Sequence, residues 1–320
     1  MRRSGVIAAI AFTLAWTASP AAGQRKERLN PLITLHQAGQ PVFGLYAPSP
    51  GGGRGREGGA APPAKTPAQR ASETLGYRLS DFIFVGSMER GVARGLPAFA
   101  DYVAAMGVAG ASAHSHPLTV KTAKVSDDPE LAKREIARQL DAGVSGIVFV
   151  DVESAAELRT GLEAMRFRSH GGTRPDAVGS APAYWGLSEA EYRAKADLWP
   201  LNPEGELMAW AIVESRKGLA NLREIAAVPG IAVLFPGAGT LRGVFTTTNA
   251  AGERVFDAEG WETAIQQVLA ACKEFKVPCG YPATANDIEM RMQQGFSLFI
   301  MNWGQPGFDA IEIGRRRAGR

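Results

Sequence analysis

The sequence predicts an α/β protein built as a single (β/α)8 TIM barrel, and three observations lead there. From Val42 onward, short apolar runs alternate with longer amphipathic ones, the pattern of a parallel sheet crossed by helices. Eight such units fill about 270 residues, which suits a barrel. No Gly-x-Gly-x-x-Gly turn follows the first strand, as an open dinucleotide-binding sheet would require.

The expected strands are residues 42–47, 82–87, 118–122, 146–152, 208–214, 231–236, 277–281 and 297–302. Between them lie helical patterns at 129–142, 155–165, 219–228, 261–275 and 285–294. Gly143 and Gly295 close two of these helices, in keeping with left-handed caps.

Ahead of the barrel, Arg2 and Arg3 precede an apolar run from Val6 to Trp16 and the small residues Ala21, Ala22 and Gly23. That order is the layout of a secretory signal, so residues 1–23 are expected to be removed and residues 24–320 to form the exported, periplasmic or secreted domain. The run is shorter than the roughly 20 residues a bilayer needs, and no stable membrane anchor is expected after processing; a retained N-terminal anchor is the alternative. Residues 48–67 crowd Gly51-Gly52-Gly53, Gly58-Gly59 and Pro62-Pro63 together with almost no large apolar side chains. Such a segment offsets little ordering entropy, and a flexible insertion after the first strand is expected.

Against 35 Lys and Arg stand 32 Asp and Glu, a formal charge of +3 without the dense basic face that nucleic acid demands. Two Cys and four His give no metal-finger spacing, so any metal here needs oxygen ligands. No Gly-x-Ser-x-Gly elbow supports a serine hydrolase.

In a barrel the chemistry sits at the C-terminal strand ends. Those ends carry Ser87-Met88-Glu89-Arg90, then Lys121 with Lys124, Asp151-Val152-Glu153-Ser154, Glu214-Ser215-Arg216 and Gly237-Ala238-Gly239-Thr240. Asp151, Glu153 and Glu214 end neighbouring strands, and their repulsion raises a pKa or calls for a cation such as magnesium or manganese. Asp151 or Glu153 could instead cap the helix beside Ser154. Glu214 ends an apolar run, where an ionisable group is expensive unless it has a task.

The ordered series Val42-Phe43-Gly44-Leu45, Val150-Asp151-Val152-Glu153-Ser154-Ala155, Ile212-Val213-Glu214, Pro229-Gly230-Ile231-Ala232-Val233-Leu234-Phe235 and Gly237 through Leu241 resembles the HpcH/HpaI aldolase and citrate lyase superfamily. The resemblance implies a metal-assisted carbon–carbon lyase of the aldolase type, acting on a 2-oxo acid or related hydroxy acid through an enolate, and a homo-oligomer. It implies a divalent metal held by Glu214, whose family partner, an Asp within Gly-Pro-x-Asp-Leu, falls here on Thr240. Glu153 occupies the Val-Glu-Ser position of the citrate lyase branch and is the candidate second ligand.

Glu89 stands where the family has a His that assists acid–base chemistry. The strand-three arginine is replaced in charge by Lys121 or Lys124. Arg174 matches an arginine in a loop bordering the site, and Gly237, Ala238, Gly239 and Thr240 line the substrate. The replacements at Glu89 and Thr240 favour the alternative of a non-catalytic exported barrel that binds a small carboxylate or has a structural role.

Three further features lie outside this set. His114 and His116 form an HxH pair that precedes a strand and is expected on the opposite face. His170 lies in a loop resembling the family's loop over the site, as an acid–base group or a plain surface His. Cys272 closes a helix and Cys279 starts the next strand. Export would permit a disulfide, but helix-to-strand separation favours two buried thiols.

Overall fold

The computed structural model describes residues 28–51 and 63–320; the expected leader and the centre of the Gly- and Pro-rich insertion lie outside the described residues. The strands are β1 (Val42–Tyr46), β2 (Phe82–Val85), β3 (Leu118–Lys121), β4 (Gly146–Phe149), β5 (Leu198–Trp199), β6 (Leu207–Val213), β7 (Ile231–Pro236), β8 (Thr246–Thr248), β9 (Arg254–Phe256), β10 (Gly280–Pro282) and β11 (Leu298–Met301). β8 and β9 form a separate antiparallel hairpin. The rest make one parallel sheet in the order β10-β11-β1-β2-β3-β4-β6-β5, with β7 also on β6. β7 approaches β10 through a single bridge, Leu234 to Cys279, beside a 3.0 Å hydrogen bond from the Leu234 N–H to the Pro278 carbonyl.

All eight expected strands are present as β1–β4, β6, β7, β10 and β11, while β5 and the hairpin were not anticipated. The strand expected at 277–281 begins later, because the Val277 N–H turns back to the Cys272 carbonyl and Pro278 has no N–H to offer. The helix expected at 219–228 is two, Arg216–Ala220 and Leu222–Ala226, parted at Asn221, whose side chain leaves to donate to the Glu153 carbonyl at 2.8 Å. The cysteines are corrected as well: Cys272 and Cys279 are disulfide-bonded. The tight return at Val277 brings their α-carbons to 5.6 Å, within bridging range.

Strand alternation divides the core in two. Val42, Phe82, Phe84, Val148, Val150, Met208, Trp210, Ile212, Val233, Phe235, Leu298 and Ile300 pack in an inner cluster on one face of the sheet. Their strand neighbours Phe43, Leu45, Ile83, Val120, Ile147 and Phe299 join the helices on the other. The inner face is crowded enough that Gly44 is required: a Cβ there would lie 2.2 Å from the Phe82 ring. Helix Pro31–Gln37 adds Leu32 and Ile33 to the inner cluster. It starts at Asn30, whose side chain accepts the Leu32 N–H at 3.1 Å, with proline at its first position.

Candidate active site

The same alternation delivers polar side chains to the strand ends. Tyr46 follows Val42 and Gly44, Lys121 follows Thr119, and Glu214 follows Met208, Trp210 and Ile212, each in steps of two. All three line one cavity of about 410 Å³, together with Gly237, Ala238, Gly239, Thr240, Arg242, Trp261 and Tyr281. Phe84, Ile212, Phe235 and Ile300 give it apolar walls. The Trp261 indole N–H pins the Ala238 carbonyl at 2.8 Å and fixes the 237–240 turn.

Glu214 is 6% exposed. Its Oε1 accepts the Asp151 N–H at 3.1 Å, and Thr240 lines the same cavity. Burial raises its pKa above the ordinary carboxyl range against the pull of Thr240 and Lys121, with the Glu89 charge pushing the same way as burial.

Lys121 donates from Nζ to Glu89 Oε2 at 2.9 Å, its side chain 14% exposed, while its carbonyl is held by the Gln139 side chain at 2.9 Å. Burial likewise raises the Tyr46 phenol, on which Lys121, Glu89 and Glu214 all act electrostatically. A second cavity of about 400 Å³ shares Tyr46 and Phe84 and contains Glu89.

The remaining candidates are placed elsewhere. Lys124 Nζ is 2.6 Å from Asp151 Oδ2 and 3.1 Å from Glu153 Oε2. Burial opposes its charge, but those two carboxylates outweigh it and raise its pKa. Glu153 also accepts Ser215 Oγ at 2.9 Å on Oε1 and Lys217 Nζ at 3.3 Å on Oε2, and these bonds, Ser215 foremost, lower its pKa. Neither Lys124 nor Glu153 lines the 410 Å³ cavity. Asp151, at φ 44°, breaks the alternation, so Val150 belongs to the inner cluster and Val152 to the outer. The helix cap is Ser154, which accepts the Glu157 N–H at 3.1 Å, rather than Asp151 or Glu153.

Arg174 is buried away from the cavity, donating to Asp141 Oδ1 at 2.8 Å and to the Tyr192 hydroxyl at 3.2 Å, with its guanidinium 4.2 Å from the Phe167 ring. His170 lies beside Asp197, its Nδ1 3.9 Å from Oδ2. His114 meets the Leu29 carbonyl at 3.1 Å in a pocket that it shares with Arg28 and Glu206, separate from the cavity holding Glu214. Sequence reasoning missed Tyr46, Arg242, Trp261 and Tyr281; Tyr46 was detectable as the polar end of an inward-facing series.

The divalent metal implied by the resemblance meets a poor donor set. The cavity offers one carboxylate, Glu214, beside a neutral Thr240 and the ammonium of Lys121, while Glu153 is committed to two lysines and a serine. Among the described residues no group of three or more His, Cys, Asp or Glu gathers as a metal site. Hard cations want carboxylate oxygens, and a neighbouring ammonium competes for the one available. The residues do not fit the group.

In parallel α/β folds functional sites lie at the C-terminal strand ends, where this polar pocket also lies. The model of the HpcH/HpaI aldolase/citrate lyase family matches residues 110–310, and the chain belongs to this family. Tyr46 and Glu89 lie outside the matched segment.

Among its relatives, a 2-dehydro-3,6-dideoxy-6-sulfogluconate aldolase of Pseudomonas putida is 25% identical over 204 residues, covering 58% of this chain and 73% of that protein. A 4-hydroxy-4-methyl-2-oxoglutarate aldolase of Chaetomium globosum is 26% identical over 160 residues, 48% of this chain and 54% of that protein. A crystal structure of an HpcH/HpaI aldolase/citrate lyase family protein from Burkholderia cenocepacia superposes with a TM-score of 0.62 at 21% identity, over 90% of this chain and 97% of the other. It shows the likeness of fold. Family and relatives support aldolase- or lyase-type chemistry in general.

Proposed function

We propose that the protein is a carbon–carbon lyase of the aldolase type acting on a small 2-oxo acid or a related hydroxy acid. The observation that carries this reading is the convergence of Glu214 and Lys121 on one cavity at the strand ends. Arg242 attracts the substrate carboxylate, and Lys121 faces the 2-oxo group. A buried carboxyl whose pKa is raised is suited to proton transfer, so Glu214 takes the C4 hydroxyl proton as the C3–C4 bond breaks. The electron pair passes toward C2, in a cavity that Tyr46 and Lys121 line. No step is routed through a metal, because the donor set does not fit one.

The names of the two relatives, one an aldolase of a 2-dehydro acid and the other of a 4-hydroxy-2-oxo acid, support the substrate class. We further place the protein outside the cytoplasm, supported by the leader layout and by the Cys272–Cys279 disulfide. A closed barrel seamed at Leu234 and Cys279, and a homo-oligomer on the strength of the family resemblance, belong to the same proposal.

The test is enzyme-coupled detection of pyruvate released from 4-hydroxy-4-methyl-2-oxoglutarate and related 4-hydroxy-2-oxo acids. Turnover is expected, falling at least about 100-fold in Glu214→Gln. Saturable pyruvate binding without turnover of any such acid would replace this reading with that of a non-catalytic carboxylate-binding barrel.

A further inference from the structure

Cleaving the bond next to C3 of a 2-oxo acid needs an electron sink at C2. In this cavity the second carboxylate that would recruit a cation is a threonine, and what faces the substrate instead is a primary amine. We infer that Lys121 is a covalent nucleophile that condenses with the 2-oxo carbon of the substrate to form an iminium, an inference that rests on the aldolase reading above.

Four features single out this lysine. Lys121 Nζ is fixed at 2.9 Å from one carboxylate, Glu89, so a proton acceptor stands within reach of the amine. Its side chain is 14% exposed and lines a cavity whose walls include Phe84, Ile212 and Ile300, so the amine borders the space a substrate would fill. The carboxylate of Glu214 and the phenol of Tyr46 line the same cavity, so the positive charge of an iminium would be met by Glu214 and Glu89 together. Lys124, three residues on, is clamped between Asp151 and Glu153 outside the cavity and cannot take this part.

The steps balance without oxidant, reductant or cofactor. Lys121 passes a proton to Glu89, and the free amine adds to C2. The former oxo oxygen, protonated by an acid of the site, leaves as water, and the C2–N iminium forms. Breaking C3–C4 sends its electron pair into the enamine, while a base removes the C4 hydroxyl proton and the carbonyl fragment departs. The enamine takes a proton at C3, and water then hydrolyses the iminium, returning the amine and the shortened 2-oxo acid.

The experiment treats the full-length protein with pyruvate and sodium borohydride, maps the modified peptides by mass spectrometry, and measures in parallel the exchange of pyruvate C3 protons in deuterated water. The expected result is one reduced pyruvyl group per chain, on Lys121, with surface Lys133 and the clamped Lys124 unlabelled, and no label at all in Lys121→Met. Exchange without any adduct, or with an adduct on another lysine only, overturns the role of Lys121 and leaves the aldolase reading standing. Neither exchange nor adduct overturns both.

Discussion

Glu214 lies directly against the bare α-carbon of Gly237: a Cβ on that glycine would stand 2.3 Å from Glu214 Cβ and 2.5 Å from Oε2. The Gly237 N–H, meanwhile, is tied to the Val213 carbonyl at 2.9 Å, so the backbone cannot retreat. This contact holds the carboxylate in the cavity, beside Thr240. Gly237→Ala should cost about 1–3 kcal/mol by overpacking. Turnover should fall at least about tenfold as Glu214 is displaced, measured on protein shown by circular dichroism to be folded.

Burial raises the Glu214 pKa, and the sign of the linkage follows. A fold that favours the protonated carboxyl is most stabilised by this group below its unfolded pKa of about 4.3, and loses that contribution as pH rises through the raised value. Glu214→Gln, which stays neutral, should therefore melt at or above the parent at pH 7, with the gap closing toward about pH 4. Thermal melts of both proteins across this window decide it, and a variant less stable at pH 7 would show that charged Glu214 is a net stabiliser.

Replacing the neutral Thr240, which lines the cavity with Glu214, by a second carboxylate should create the cation site that the donor set lacks. Calorimetric titration with manganese should show no saturable binding to the parent at millimolar concentration and clear binding to Thr240→Asp. Binding by the parent would show that Glu214 finds a second ligand in solution.

Arg174 is buried on Asp141, Tyr192 and Phe167 and does not reach the cavity. Arg174→Met should lower stability by about 3 kcal/mol, since it strands Asp141, while activity per folded molecule is kept. Denaturant unfolding and active-site titration separate the two effects, and a selective loss of turnover would return Arg174 to the site.

What the sequence disclosed, it disclosed through periodicity. The eight apolar runs marked the parallel strands, and the strand-end rule brought Lys121, Glu214 and the 237–240 turn to one cavity. Residues placed by long-range pairing were illegible: the three partners of Glu153 sit on other elements, and nothing near Arg174 in sequence announces Asp141 or Tyr192. The break at Asn221 turned on one long-range side-chain hydrogen bond and the Cys272–Cys279 bridge on one backbone return, neither of which propensity registers.

Activation of C3 of a 2-oxo acid by this cavity can be measured without knowledge of the aldehyde or ketone half. Proton NMR of pyruvate in deuterated buffer containing a chelator should show loss of the methyl signal with the protein present, and loss of that catalysis in both Lys121→Met and Glu214→Gln. A methyl signal that decays no faster with the protein than in buffer alone would contradict the claim.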